Sequence, residues 1–141
     1  MTPDAVAVAV LIILLFPMGY FTLASPAFLL VKLDIRPVGL LLRGMFNAHF
    51  LVMRIAGLIA TVALLLDGRP LAAIGIGLLA AVAIGGRGWF LQRMDEQLSA
   101  SEAGDTGAAG RLRRLHWSGM LCNAVLLAAL LASIPYISAS A

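Results

Sequence analysis

Hydrophobic positions along the chain fall into four long runs, which short polar or charged connections separate. A helix needs about 20 apolar residues to cross the hydrocarbon core of a bilayer, and each run reaches that length. The pattern therefore predicts an all-α fold, an integral membrane four-helix bundle that forms one polytopic domain over residues 1–141. The four predicted helices cover approximately residues 5–31, 46–66, 71–90 and 115–137.

The connections between the runs differ in their chemistry. Residues 67–70 (DGRP) combine a turn glycine with a proline that opens the next helix, which predicts a tight antiparallel hairpin of helices two and three. Residues 37–45 fit either an interfacial helix on the membrane surface or an extension of helix two. Residues 97–112 are mostly small and polar, which predicts a flexible cytoplasmic loop.

The composition indicates a membrane protein. Hydrophobic residues make up 62% of the chain, charged residues make up 12%, and the mean hydropathy is +1.01. A soluble domain has about 25% charged residues, so this composition excludes that class. A net charge of +3 would suggest nucleic-acid binding in a soluble protein, but here the basic residues flank the apolar runs. We therefore expect membrane lipids as partners and no nucleic acid.

The distribution of Lys and Arg predicts the orientation, because loops rich in these residues stay in the cytoplasm. On the side of the membrane that holds both termini, the connecting segments contain only Arg69, and the other basic residues of the connections lie on the opposite side. Both termini are therefore expected on the non-cytoplasmic side of a bacterial inner membrane. Residues 1–4 carry no Lys or Arg and the first run is long, which favours a retained helix over a signal peptide. The basic residues of the other face are Lys32, Arg36, Arg43, Arg87, Arg93, Arg111, Arg113 and Arg114.

Arg54 is the most unusual residue of the apolar runs. It lies well inside the second run, and no Asp or Glu occupies any run. A charged side chain at this depth costs about 2.5–3.5 kcal/mol on insertion scales, so it marks a candidate functional site. Arg54 belongs to a polar stripe with spacings of 4, 3, 4, 3 and 4 residues, which is expected to face the bundle. The polar stripe consists of Arg43, Asn47, Phe50, Arg54, Gly57 and Thr61.

Helix four runs in the same direction as helix two and carries its own polar face. His116 and Asn123 are seven residues apart and share that face, and Asn123 lies at about the depth of Arg54. The candidate ligand-binding or lipid-binding residues are therefore Arg54, Asn47, His116, Asn123 and Arg43.

Three interpretations of Arg54 remain open. In the first, it snorkels to the headgroups, or bonds Asn123 and backbone carbonyls that are freed near Pro26. In the second, it binds an anionic amphiphile such as a lipid phosphate or a fatty carboxylate. In the third, it contacts another protein chain. Each interpretation gives the guanidinium of Arg54 a partner, which the apolar runs do not provide because they contain no Asp or Glu.

The two histidines raise haem binding as an alternative, because His49 and His116 both lie near the cytoplasmic ends of helices that run the same way. His49 is about 140° around the helix from Arg54, so it is expected to face mostly outward. We therefore expect His49 and Trp117 to face partners. We expect no metal ion and no cofactor, with haem b as the alternative.

The remaining reactive residues form no catalytic constellation. Ser118 is two residues from His116 and faces away from it. Cys122 is the single cysteine, which excludes an internal disulfide and a two-cysteine metal or redox motif. The sequence therefore predicts a protein that is not an enzyme and has no catalytic residues.

Three stretches carry a resemblance to a known family: residues 19–28 (GYFTLASPAF), residues 38–46 (VGLLLRGMF) and residues 113–118 (RRLHWS), followed by Asn123. They resemble the four-helix bacterial membrane family defined by a domain of unknown function, whose relatives include a eukaryotic transmembrane protein linked to cisplatin resistance. The resemblance implies four membrane helices and a polar His, Ser and Asn group at the start of the fourth. It implies no reaction. Residues 85–89 (GGRGW) differ from that family, in which a proline is common near the end of the third helix.

Three functions fit these observations. We favour a non-catalytic accessory or stabilising subunit of a larger membrane complex, because no proton-relay carboxylate occurs within the spans. Its partners would be other membrane-protein chains or further copies of this chain in a homo-oligomer. The first alternative is binding or transport of an anionic or amphipathic small molecule or lipid at a polar site around Arg54. The second alternative is a small haem-binding membrane protein that uses His116.

Overall fold

The computed structural model describes residues 3–138 of the chain. This part forms four α-helices, α1 (Pro3–Ala24), α2 (Arg36–Leu66), α3 (Pro70–Glu102) and α4 (Ala108–Ser138), with a short 3-10 helix (Ser25–Leu29) after α1. All four helices are long and apolar enough to cross a membrane. The expectation of an all-α, four-helix, multi-pass membrane protein is confirmed. The orientation of the termini stays a prediction.

The helices form a ring in which α2 packs on α1 and α3, and α4 packs on α3 and α1. Because the connections are short, successive helices are antiparallel and the bundle has two distinct ends. We name the end that holds residues 30–35 and 103–107 the charged end. The end that holds the turn at residues 67–69 is the hairpin end.

Side chains from all four helices fill the interior. Phe21, Phe46, Leu64, Met94 and Leu130 are each at most 2% exposed. Many other large apolar side chains point outward, which suits lipid because acyl chains are as apolar as these residues. Hydrophobicity alone therefore does not select the inner face of each helix, and close packing and polar contacts do so.

The first helical run changes its geometry at Pro26. Proline has no backbone N–H, so the α-helical hydrogen bond to the carbonyl of Thr22 is lost. The chain accordingly passes from α1 into the 3-10 helix, which has Pro26 in its first turn. The predicted helix at residues 5–31 thus corresponds to two consecutive elements.

Residues 37–45 form the first turns of α2. Pro37 lies in the first turn of α2, where the missing N–H of a proline leaves no helical bond unmade. Gly39 and Leu42 are buried in the bundle. Residues 37–45 therefore belong to helix two and do not form a separate interfacial helix.

The third connection is much shorter than the sequence suggests. Helix α3 continues to Glu102 and α4 begins at Ala108, so only residues 103–107 of the expected loop (97–112) lie outside helices. Gly104 ends the run of helical backbone with a φ of +93°, a conformation that glycine adopts without strain. The expectation of a flexible loop over residues 97–112 is wrong in extent.

Polar contacts between helices stabilise these extra turns. The guanidinium of Arg36 on α2 pairs with Glu102 at the end of α3. Nε of Arg111 on α4 donates to Oε1 of Gln97 on α3 at 2.7 Å. Helices therefore continue beyond the apolar runs, where charged and amide side chains bond to partners on neighbouring helices.

The hairpin of α2 and α3 forms as predicted. Gly68 has a φ of +74°, and Pro70 lies in the first turn of α3. The N–H of Arg69 donates to the carbonyl of Leu64 at 2.9 Å, which closes the turn. The glycine and the proline thus have the turn roles that the sequence assigns to them.

Candidate functional site

The polar stripe of α2 contacts α3 at positions other than Arg54. A Cβ atom at Gly57 would lie 2.8 Å from the Cβ of Ala80, so the two helices are in close contact there. One turn further along, a Cβ at Gly77 would lie 3.6 Å from Cγ2 of Thr61. Gly57 and Thr61 therefore lie on the bundle side of α2, as expected for the stripe, and α3 is the helix that they meet.

Two polar side chains of the stripe bond to α3. Nε of Arg43 donates to Oδ1 of Asp95 at 2.5 Å and its Nη2 donates to Oδ2 at 3.1 Å, which is a bidentate pair. Nε of Arg87 donates to Oδ1 of Asn47 at 3.0 Å. Arg43 and Asn47 therefore do not converge with Arg54 in one site. Asp95 escapes sequence-based prediction because the expected third helix ends at residue 90.

Arg54 has no partner among residues 5–137. Its side chain is half-buried in the middle of α2, and its guanidinium makes no hydrogen bond or ion pair within that range. Asn123, the amide expected to reach Arg54, bonds to α1 instead. A guanidinium carries five N–H donors, so unused donors remain at mid-span in α2.

Asn123 belongs to a set of polar contacts that joins α4 to α1, which we name the α1–α4 seam. Nδ2 of Asn123 donates to the carbonyl of Met18 at 3.2 Å and to Oγ1 of Thr22 at 2.9 Å. The hydroxyl of Thr22 donates to the same Met18 carbonyl at 2.8 Å. One amide thus holds both a side chain and a backbone carbonyl of α1.

His116 forms the second level of the seam. Its Nε2 lies 2.8 Å from Oγ of Ser25, and both residues are 0% exposed. Nδ1 of His116 has no hydrogen-bond partner within the described part of the chain. The Ser25 contact is thus the ring's hydrogen bond within that part, and the sequence-based candidates do not include Ser25.

Arg113 forms the third level, at the charged end. Its Nη1 donates to the carbonyls of Phe28 and Leu29 at 3.4 and 3.3 Å, and its Nη2 donates to the carbonyl of Val31 at 2.8 Å. These are carbonyls at the end of the 3-10 helix, where helical partners run out. His116 and Asn123 therefore share one face, as expected, but that face meets α1 and not Arg54.

His49 packs against α1 and does not face mostly outward as expected. Its ring stacks on Phe21 with the two centroids 4.1 Å apart. Phe21 contacts Phe46 at 5.3 Å, and Phe46 contacts His116 at 6.2 Å. The outward expectation fails because α1 covers the side of α2 that is turned away from Arg54. Two phenylalanine rings occupy the path between the imidazoles, so this arrangement does not form a bis-His haem site.

Trp117, Cys122 and the potential metal-ligating side chains form no common site among the described residues. Trp117 is 54% exposed on α4, and its contact with a partner stays a prediction. Cys122 is a free, partly buried thiol. Over the described residues, no three side chains of His, Cys, Asp or Glu are grouped as a metal ion would need.

Arg69 makes a polar contact at the hairpin end that the sequence does not reveal. The residue is 7% exposed. Its Nη1 donates to the carbonyl of Ile137 on α4, and its Nε lies 3.1 Å from Oδ2 of Asp67. The turn between α2 and α3 is thereby tied to the far end of α4.

Asp105 organises the connection between α3 and α4. Its Oδ1 accepts the N–H of Gly107 at 2.9 Å, and its Oδ2 accepts a bond from Nη2 of Arg111. The Gly107 hydrogen bond, followed by the bond and charge of Arg111, lowers the pKa of the Asp105 carboxyl. Arg111 therefore has a fixed position beside this connection.

Two clefts open between α3 and α4. The cleft near the hairpin end has a volume of 590 Å³ and apolar walls, which include Gly75, Leu79, Leu126 and Leu130. The cleft near the charged end has a volume of 180 Å³. We name it the arginine cleft, and its walls include Trp89, Arg93, Gln97, Arg111, Arg114 and Ser118.

No protein-family model, no curated protein and no solved structure matches this chain. Membership of the family that the sequence resembles therefore stays a prediction.

Proposed function

We propose that the protein is a non-catalytic accessory or stabilising subunit of a larger membrane complex, and that Arg54 recognises a helix of its partner. The observation that carries this proposal is the unpaired guanidinium in the middle of α2. Arg43 and Arg87 on the same α2–α3 contact both have bonding partners inside the bundle. Arg54 differs from them because its partner must come from outside the described residues.

A partner helix with an Asp or Glu at the matching depth would neutralise Arg54. The cost of an unpaired charge at mid-span, about 2.5–3.5 kcal/mol on insertion scales, favours such pairing. Neighbouring side chains Ile55 and Leu58 are about half exposed on α2. They offer apolar contacts beside the charge, which would help to exclude water from the ion pair.

The pairing of interior polar groups supports a non-catalytic role. Ser25 and His116 form a hydroxyl–imidazole contact of the kind that hydrolases use, but both residues are completely buried. Their contact joins two helices and presents no reactive atom to a substrate. The α1–α4 seam is therefore assigned to stability in this proposal.

Native mass spectrometry of protein purified gently from its own membrane tests the proposal. We expect the wild-type protein to carry a stoichiometric partner chain, and Arg54→Leu to lose most of it while remaining folded. Arg43→Leu is the matched control, since it removes the same charge from the same helix but breaks an internal pair. The control should retain the partner. A wild-type protein that carries no other chain contradicts the proposal.

The same unpaired guanidinium favours a second candidate function, which is binding or transport of an anionic amphiphile. The N–H donors of Arg54 match a carboxylate or a phosphate in bidentate geometry. A single wild-type chain with one stoichiometric anionic ligand, lost in Arg54→Leu, would support this candidate over the first. Unchanged ligand occupancy in Arg54→Leu would exclude it.

A further inference from the structure

The arginine cleft is a second cationic site, and neither function proposed for Arg54 uses it. It has a volume of 180 Å³, which is several times the volume of a water molecule. Arg93 on α3 and Arg111 and Arg114 on α4 line it, and no Asp or Glu is among its lining residues. Arg111 is paired with Asp105 outside the lining, whereas Arg93 and Arg114 have no carboxylate partner among residues 5–137, and two such guanidinium groups attract anions.

Arg111 is held in place before any ligand arrives. Its Nε donates to Oε1 of Gln97 at 2.7 Å, and its Nη2 donates to Asp105 at the edge of the connection. A side chain fixed in this way loses little conformational entropy on binding. Arg111 therefore supplies a positioned guanidinium in the wall of the cleft, although its charge is shared with Asp105.

The other two arginines keep their donors available. Within residues 5–137, neither Arg93 nor Arg114 has a side-chain hydrogen bond or an ion pair. The guanidinium carbon of Arg93 lies 5.5 Å from the centre of the Trp89 ring, a cation–π contact that leaves its N–H groups free to bond. Two guanidinium groups can therefore donate to one ligand from opposite walls of the cleft.

The position of the cleft near the charged end leads us to expect it at the level of the lipid headgroups. Helices α3 and α4 leave their apolar spans at this end, and Trp89 is 48% exposed on its wall. Tryptophan is enriched at the boundary between hydrocarbon and water. Basic pockets between transmembrane helices at this level suit anionic headgroups.

We propose that the arginine cleft binds an anionic phosphate group, with Arg93 and Arg114 as its direct ligands and Arg111 as a prepositioned third cation. Planar guanidinium forks match the oxygens of a phosphate bidentately. The phosphate belongs either to an anionic lipid headgroup or to a free phosphate in solution. The experiment below separates these two sources.

The lipid arm uses the full chain in nanodiscs that contain phosphatidylcholine with and without phosphatidylglycerol. Native mass spectrometry then counts the lipids that each chain retains. We expect wild-type protein to retain phosphatidylglycerol in preference to phosphatidylcholine, because choline cancels the phosphate charge. The double variant Arg93→Gln, Arg114→Gln should weaken that retention by about tenfold or more. Both residues are exposed, so we expect the variant to keep its helix content in circular dichroism.

The matched control is the double variant Lys32→Gln, Arg36→Gln. It removes the same number of charges from the same end of the bundle, but both residues lie outside the cleft. We expect its retention of phosphatidylglycerol to stay close to that of wild type. Equal weakening in both double variants would reveal a general attraction to the charged end and would overturn the proposed site.

The second arm adds inorganic phosphate to the protein in nanodiscs of phosphatidylcholine alone and follows the phosphorus NMR linewidth. Broadening that the cleft variant abolishes identifies free phosphate as a ligand. Preferential retention of phosphatidylglycerol without such broadening identifies the lipid headgroup. If wild-type protein shows neither effect, the cleft is not a phosphate site.

Discussion

Oγ of Ser25 and Nε2 of His116 lie 2.8 Å apart, in a contact that joins the end of the first helical run to the fourth helix. Both side chains are completely buried. An unpaired polar group in a buried position costs about 1–3 kcal/mol, so each of these residues depends on the other. The contact therefore stabilises the bundle through two residues that are far apart in sequence.

Substitution Ser25→Ala tests this dependence. It should lower the free energy of unfolding by about 1–2 kcal/mol, because the imidazole of His116 loses its bond and Nδ1 already lacks one within the described residues. Unfolding by sodium dodecyl sulfate in mixed micelles measures the change. Ser118→Ala is the control, since Ser118 is exposed and bonds the carbonyl of Arg114 in its own helix. A comparable loss in the control would contradict the role of Ser25.

Gly119→Ala is expected to disrupt the contact of α4 with α2. A Cβ at Gly119 would overlap with Cε1 of Phe46, and this ring is 0% exposed among other aromatic rings, so it has no room to move. Overpacking of this kind costs about 1–3 kcal/mol, which the same unfolding assay measures.

Gly110→Ala is the control for this overpacking. A Cβ at Gly110 meets no atom within 4 Å, and alanine favours helical backbone, so the substitution should leave stability unchanged or raise it. Loss of stability in Gly110→Ala similar to that in Gly119→Ala would point to a general intolerance of α4 and not to the Phe46 contact.

The connection at residues 103–107 should depend on pH through Asp105. Its pKa is lowered in the folded protein by the N–H of Gly107 and by Arg111, so the ionised form is the one that stabilises the turn. This stabilisation is present above the unfolded pKa of about 3.9 and is lost as the pH falls through the lower folded value. The amide resonance of Gly107 should therefore titrate with a midpoint below about 3.9. Asp105→Asn should remove that titration, and a midpoint above about 3.9 would contradict the contact.

Cysteine labelling tests the expected orientation of the bundle. In a Cys122→Ser background, Ala103→Cys at the charged end should react with a membrane-impermeant thiol reagent only after the inner membrane of bacterial cells is opened. Pro70→Cys at the hairpin end should react in cells whose inner membrane is intact, because loops rich in Lys and Arg stay in the cytoplasm. Both residues are exposed. The opposite labelling pattern would place the termini in the cytoplasm.

The helices could be predicted because length and apolarity decide membrane spans almost by themselves. The ends of the helices could not, since α2 begins at Arg36 and α3 continues to Glu102 in segments with many polar residues. Those turns are stabilised by partners on other helices, such as Asp95 for Arg43. The hydropathy of a single segment carries no information about partners on other helices.

The site was only partly predictable for a related reason. The spacing of His116 and Asn123 indicates a shared face, but not which helix that face meets. Met18, Thr22 and Ser25 on the first run also recur at helical spacing, and this was the available signal for α1 as the partner. The isolation of Arg54 was visible in the sequence from the lack of acidic residues in the runs. Its lack of an amide partner became visible only with the position of Asn123.

The α1–α4 seam has a consequence for the order of events during synthesis. During translation α1 is synthesised first and α4 last. Ser25, Thr22 and the carbonyls that Arg113 bonds therefore have no α4 partner while α2 and α3 are being synthesised. Until α4 docks, these groups of α1 lack the bonds that α4 supplies in the folded protein. The polar contacts that join the first helical run to the bundle are therefore completed only by the last helix to be made.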